Sequence, residues 1–246
     1  MLRMLKILPI ILALSSFVLL TPGCGTDHAT VRIVQASPDA GNVDIAVDGN
    51  TVVTDLAFGS ISPASGYLTV AAGNRRVEVR DTGTTTDLIN STVDFATHGA
   101  YTLLASGKIT DNTEALLLKT DDNSAPSSGN IKLRVIHDAP DAPNKGTLNT
   151  CDFPPCVDVY VVAPGTDITN VSATIPSLAY QQASDYQSLT AGTYEIIMTD
   201  STDPAKPKLI DQTYTFTAGQ IRTLVTLDVP AGDGMGPIPL ELSDLN

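Results

Sequence analysis

The chain contains itself twice. Val31-Arg32-Ile33-Val34-Gln35-Ala36-Ser37-Pro38-Asp39-Ala40 aligns with Leu133-Arg134-Val135-Ile136-His137-Asp138-Ala139-Pro140-Asp141-Ala142, and Val43-Asp44-Ile45-Ala46-Val47 with Val157-Asp158-Val159-Tyr160-Val161. Tyr67 and Tyr186, Ala72-Gly73 and Ala191-Gly192, then Gly99 and Gly219 follow in the same order. Each copy is about 100 residues, the size of a domain and not of a solenoid unit. The spacing changes mainly through one insertion, Asn144 to Pro155. Between the copies, Thr120 to Gly129 is polar and has no apolar period, which reads as a linker. The expected division is a first repeat over 30–119, a linker over 120–130 and a second repeat over 131–246.

Within each copy the pattern is that of strands. Val43, Ile45 and Val47 alternate with Asp44, Ala46 and Asp48, and Gly49-Asn50 then turns the chain. Ala71-Ala72-Gly73-Asn74 and Thr190-Ala191-Gly192-Thr193 each divide two strand-like runs, while Tyr101 to Ala105 and Ile221 to Val225 read as buried late strands. No sustained helical period follows the N-terminal segment. Seven or eight short strands per copy predict an all-β chain of two tandem antiparallel β-sandwich domains, immunoglobulin-like, with a barrel as the alternative.

Residues 1–23 read as a signal peptide. Arg3 and Lys6 supply a positive start, Ile7 to Leu20 is apolar but too short to span a membrane comfortably, and Thr21-Pro22-Gly23-Cys24 follows. The small residue before Cys24 resembles a bacterial lipobox, although Thr21 stands where Leu is usual, so Cys24 is expected to carry lipid. Removing Cys24 from the thiol count leaves an even pair. The tether 24–29 reaches at most about 18 Å when extended, which keeps the first domain near the bilayer. Gly25 lacks the acidic signal for inner-membrane retention, so the expected address is the cell envelope, at the outer membrane or cell surface.

The opening hydrophobic-Arg-hydrophobic-hydrophobic run ending in Pro-Asp-Ala resembles domain-of-unknown-function family 4397. So do Val-Asp-(Ile/Val), Phe58-Gly59-Ser60 through Ser65-Gly66-Tyr67, and the Ala-Gly turn. That family is found in bacterial exported proteins, often as tandem copies, and implies a fold and an address without an activity. The likeness covers nearly all of 30–120 and, more loosely, 131–228. The second copy departs from it with Tyr180-Gln181-Gln182 and Ser184-Asp185-Tyr186.

Cys151 and Cys156 lie in the insertion, and in an oxidising compartment they are most simply a disulfide. The chain-entropy model gives roughly 2 kcal/mol for so short a loop. Arg32 with Asp44, and Arg134 with Asp158, recur in both copies. With Ser37-Pro38-Asp39 as a hairpin tip, Arg32 would face Asp44 across the strands on the polar outer side, and both pairs read as structural ion pairs. Asp39, Asp44, Asp48, Asp121 and Asp122 raise the question of calcium, but without an EF-hand pattern they read as solvated turns. No Gly-x-Ser-x-Gly or His-Glu-x-x-His occurs, and His28, His98 and His137 do not recur between copies. No catalytic residue, metal ligand or cofactor is therefore expected.

The charge, 27 Asp+Glu against 14 Lys+Arg, disfavours a nucleic-acid partner. The expectation is a non-catalytic envelope lipoprotein. It would be anchored through Cys24 and would bind or scaffold an envelope protein, a wall polymer or a surface glycan. One rival is a metal-dependent or accessory hydrolytic enzyme using His137, Asp138, Asp141 and the cysteine loop. A structural spacer is another.

Overall fold

The computed structural model describes residues 27–143, 155–228 and 237–244. The segment 1–23 expected to be a signal peptide, Cys24 and Cys151 lie outside them. In the first copy the strands are β1 (His28–Gln35), β2 (Val43–Val47), β3 (Asn50–Leu56), β4 (Ile61–Ser62), β5 (Leu68–Ala71), β6 (Gly73–Asp81), β7 (Asp87–Phe95), β8 (Ala100–Ser106) and β9 (Ala115–Thr120). The second repeats them as β10 (Asn130–Asp138), β11 (Cys156–Val162), β12 (Ile175–Ala179), β13 (Gln182–Ala183), β14 (Gln187–Thr190), β15 (Gly192–Asp200), β16 (Lys208–Phe216), β17 (Ile221–Leu227) and β18 (Ile238–Ser243).

Each copy is a sandwich. One sheet runs β4-β1-β8-β9, with β5 also on β1, and faces a second sheet β3-β2-β6-β7. In the second copy the sheets run β13-β10-β17-β18, with β14 on β10, and β12-β11-β15-β16. Alternate residues of each strand point to one face, and this period builds the cores. Val31, Ile33, Val43, Ile45, Val77, Val79, Phe95 and Leu103 fill the first. Leu133, Val135, Val157, Val159, Ile196 and Leu224 fill the second. Burying one such side chain contributes about 1.5–3 kcal/mol.

Two features differ from an all-antiparallel sandwich with a β1–β2 hairpin. β1 crosses to the opposite sheet after Gln35, so β1 and β2 are not partners; β2 pairs with β3 and β6. β8 then returns beside β1 in parallel, from Thr30↔Ala100 to Gln35↔Ala105, as β17 does beside β10. A parallel pair needs a long connection, which the excursion through the other sheet supplies. The second copy also lengthens the connection between β11 and β12. There Ile168, Val171 and Ala173 cover Tyr160 and Ile197 on the outer face of the sheet. The Lys206 ammonium pins this loop by donating to the carbonyls of Ile168 (3.0 Å) and Val171 (2.9 Å).

The inner sheets of the two copies also pack on each other. Val34, Ala36 and Leu104 meet Ile136, Val225, Leu227 and Leu242. β1 and β10 are therefore buried on both faces, which places Arg32 and Arg134 in an interior layer rather than on a polar surface.

Candidate functional site

The centre of the seam holds two buried guanidinium groups related by the internal duplication. Arg32 donates to Asp244 Oδ1 (2.7 Å), the Ser243 carbonyl (3.0 Å) and Thr102 Oγ1 (2.8 Å). Arg134 donates to Asp121 Oδ1 (2.6 Å), the Thr120 carbonyl (2.8 Å) and Thr223 Oγ1 (3.1 Å). Tyr67 and Tyr186 complete the symmetry, each hydroxyl donating to the second oxygen of Asp121 or Asp244 at 2.6 Å. The Arg32 and Arg134 guanidinium carbons lie 5.3 Å and 4.8 Å from the Tyr67 and Tyr186 ring centroids. Each arginine thus reaches into the other copy for its nearest acid, and Arg32 also lies 3.5 Å from Asp121. Burial works hardest against the Arg32 charge, and the Asp244 and Asp121 carboxylates override it, holding that pKa above the ordinary value. Burial is also the main reason the Tyr67 and Tyr186 hydroxyls are pushed well up.

This geometry corrects the expected pairs Arg32–Asp44 and Arg134–Asp158. Asp44 and Asp158 sit on β2 and β11, in the outer sheets. Asp44 accepts from the amides of Asp55 (2.9 Å) and Gly83 (3.2 Å), and Asp158 from the amide of Ser177 (2.8 Å). Without a β1–β2 hairpin there is no strand pair to bring Arg and Asp together. The true partners follow the last strand of each copy, where Thr120-Asp121 and Ser243-Asp244 form a matching hydroxyl-Asp signal that the sequence comparison did not use. The acidic residues considered for calcium are held apart by separate partners. Asp39 accepts from the Ile109 (2.8 Å) and Thr110 (2.9 Å) amides, Asp48 from the Arg76 amide (3.0 Å), and Asp122 pairs with Lys132.

The two ends of the seam are not alike. At one end Ala36, Phe58 and Gly59 of the first copy pack toward Leu227 of the second, and the contact is apolar. The equivalent positions at the other end are Asp138, Tyr180 and Gln181 of the second copy with Ser106 of the first. The equivalence is structural. The Gly59 amide donates to the Gln35 carbonyl (2.9 Å) as the Gln181 amide does to the His137 carbonyl (2.7 Å). Both residues hold a left-handed backbone, φ +70° for Gly59 and +63° for Gln181. Glycine takes that conformation freely, whereas glutamine pays of order 1 kcal/mol for it.

At the polar end Asp138 is fully buried. One carboxyl oxygen accepts from Ser106 Oγ across the seam, and the other makes no hydrogen bond. Burial pushes the Asp138 carboxyl up to about 7 and that of neighbouring Asp228 up to about 6. The Tyr180 hydroxyl is buried beside Ser106 and Gln181, and burial raises it to about 12. Gln181 Nε2 donates to Ser106 Oγ at 3.1 Å, while Lys119 Nζ donates to the Gln181 carbonyl at 2.7 Å. Beside this group opens a cavity of about 330 Å³, lined by Asp111, Thr113, Pro140, Asp141, Pro155, Tyr180 and Gln181. Lys108 bridges its rim to Asp141.

His137 and Asp138 are adjacent on β10 and so point to opposite faces. Asp138 faces the seam and His137 the second sandwich. There His137 occupies the place of Gln35, whose Nε2 bonds the Gly41 carbonyl at 2.9 Å. Burial depresses the His137 pKa to about 4, and the Pro155 carbonyl offsets only part of that. Among the described residues no three His, Cys, Asp or Glu side chains converge as a metal would require. Cys156 opens β11 and is buried; the expected pairing with Cys151 lies outside the described residues.

The fold and seam define the class: a tandem pair of β-sandwiches joined face to face by a duplicated Arg-Tyr-Asp network. The model of the family called "Domain of unknown function (DUF4397)" matches residues 29–144 and 154–244, and the chain belongs to that family. A search of curated proteins found no match. Among solved structures the chain is similar to the Bacillus anthracis TIE protein, at 10% identity and TM-score 0.26, covering 82% of this chain and 34% of that one. It thus spans about a third of that structure's length. It is also similar to CBMbc (family CBM26) from Eubacterium rectale Amy13K in complex with maltoheptaose, at 10% identity and TM-score 0.26, covering 89% and 98%. A third is a leucine-rich repeat protein from Bacteroides thetaiotaomicron, at 14% identity and TM-score 0.20, covering 82% and 26%. At these TM-scores the likenesses carry no argument about function.

Proposed function

We propose that the protein is a non-catalytic lipoprotein of the bacterial cell envelope, anchored through Cys24, that binds an envelope component at the polar end of the domain seam. The joined sandwiches act as the scaffold. One observation carries the reading: the duplication shows that an apolar quartet closes the seam, and the other end forgoes it. Ala36, Phe58, Gly59 and Leu227 make an apolar contact, whereas the end formed by Asp138, Tyr180, Gln181 and Ser106 buries a carboxyl whose second oxygen has no hydrogen-bond partner. Costs of this kind collect at functional sites. A cavity at a domain boundary is also where small ligands usually bind.

The separation of His137 from Asp138 speaks against the hydrolytic alternative, which needs them on one face. The test is co-sedimentation of residues 25–246, which lack Cys24, with isolated envelope polymers, with calcium and after chelation. Saturable binding that falls in Tyr180→Phe/Gln181→Gly supports the reading. Binding unchanged by those substitutions refutes this site, and no binding to any fraction favours the spacer.

A further inference from the structure

We infer that the seam cavity takes a single neutral, hydroxyl-rich ring, the terminal unit of a saccharide, and this rests on the binding reading above. The cavity, about 330 Å³, lies at the lower end of the range for small-molecule sites. That suits one ring and not an extended chain. Its walls divide into two chemistries. Pro140, Pro155 and Tyr180 offer apolar surface of the kind that packs on the C–H face of a ring. Gln181, Thr113, Asp111 and Asp141 offer oxygen acceptors, the partners that ring hydroxyls require.

Charge selects the same class. Lys108 offsets the rim carboxylates of Asp141 and Asp111, at 2.5 and 3.9 Å. Behind the wall the Ser106–Gln181 hydrogen bond fixes the amide nitrogen, which leaves the amide oxygen as the acceptor. An anionic ligand would meet Asp111 and Asp141, and a cationic one would have to compete with Lys108 for those same carboxylates. The opposite end of the seam supplies an internal control, because Phe58 and Gly59 occupy the places of Tyr180 and Gln181. Substituting those residues at the polar end therefore uses side chains that the fold already accommodates.

The experiment is calorimetric titration of residues 25–246 with three neutral probes, N-acetylglucosamine trimer, maltotriose and cellotriose, and with spermidine as a cationic probe. Unfolding midpoints confirm that each variant is folded. The expected result is saturable binding of at least one trisaccharide, weakened about tenfold in Tyr180→Phe/Gln181→Gly, as loss of the hydrogen bond to the Gln181 amide oxygen would give. Binding should be unchanged in Phe58→Tyr. Spermidine binding without trisaccharide binding overturns the ligand class. So does the absence of trisaccharide binding when envelope sedimentation is still lost in the double variant, and in that case the site itself stands. Trisaccharide binding that the double variant leaves intact overturns the site.

Discussion

Replacing Asp138 with Asn probes the most costly group in the seam. The side chain is fully buried, Ser106 satisfies one oxygen, and the other has no partner. In the folded chain its pKa rises from 3.8 to about 7 because burial penalises the charge. Between those values the native state holds a proton that the unfolded chain has released. Stability therefore falls as pH rises from about 4 to about 7, and the whole interval is worth roughly 4 kcal/mol. Asn keeps the acceptor toward Ser106 and cannot ionise. It leaves an amide unsatisfied, at a cost of about 1–3 kcal/mol. The variant should thus match or fall below the parent at pH 5. Relative to the parent it should gain roughly 3 kcal/mol between pH 5 and pH 8. The opposing influence of His137, whose stabilisation is lost as pH falls from 6.5 to about 4, is common to both proteins and cancels in the difference. Urea unfolding at pH 5, 6, 7 and 8 measures it. A difference between variant and parent that stays constant across that range refutes the buried, proton-holding Asp138.

Three further outcomes follow from the geometry and the sequence. Asp244→Ala strips Arg32 of its 2.7 Å partner and leaves Asp121 at 3.5 Å as its remaining carboxylate, so it should cost about 3 kcal/mol, the low end for breaking a buried pair; adding Arg32→Met should recover most of it in denaturant titrations. Cys24→Ser should move the protein from the membrane fraction to the soluble fraction and abolish incorporation of labelled fatty acid. Mass spectrometry of the purified chain should show two extra hydrogens on reduction if Cys151 and Cys156 are joined, and Cys156→Ser should remove that change.

The duplication and the strand period made the two sandwiches legible, because a repeated order of turns and alternating Val and Ile positions constrains both domain count and sheet faces. The recurrence of Arg32 and Arg134 also marked the right residues, but not their partners. Their acids are contributed across the seam by chain segments 211 or 212 and 13 or 14 residues away, and nothing local to β1 or β10 encodes that pairing. The assumption of a polar outer face failed for the same reason. A strand buried on both faces shows no alternation, and β1 reads through Arg32, Ile33, Val34 and Gln35 as buried without a break. The polar end of the seam was hidden differently. The substitutions Phe58 to Tyr180 and Gly59 to Gln181 between copies were visible as departures, but only the fold shows that Ala36 to Asp138 and Leu227 to Ser106 belong to the same contact.

That four-position difference predicts what happens when it is transplanted. Ala36→Asp places a carboxyl at the apolar end, where Leu227 stands in the position of Ser106 and offers no hydrogen bond. Val34, Leu104, Ile136 and Val225 surround it in the same apolar cluster. Burying a polar group without a partner costs about 1–3 kcal/mol, and an ionised carboxyl more. Stability of the variant should therefore drop, and drop further as pH rises, in the same sense as Asp138 at the other end. Adding Leu227→Ser restores the hydroxyl that Ser106 supplies to Asp138, and part of the loss should return despite the smaller side chain. If the seam tolerates Asp at 36 without loss in denaturant titrations at pH 8, the contrast between its ends is not energetic. Asp138, Tyr180 and Gln181 would then need no ligand to explain them.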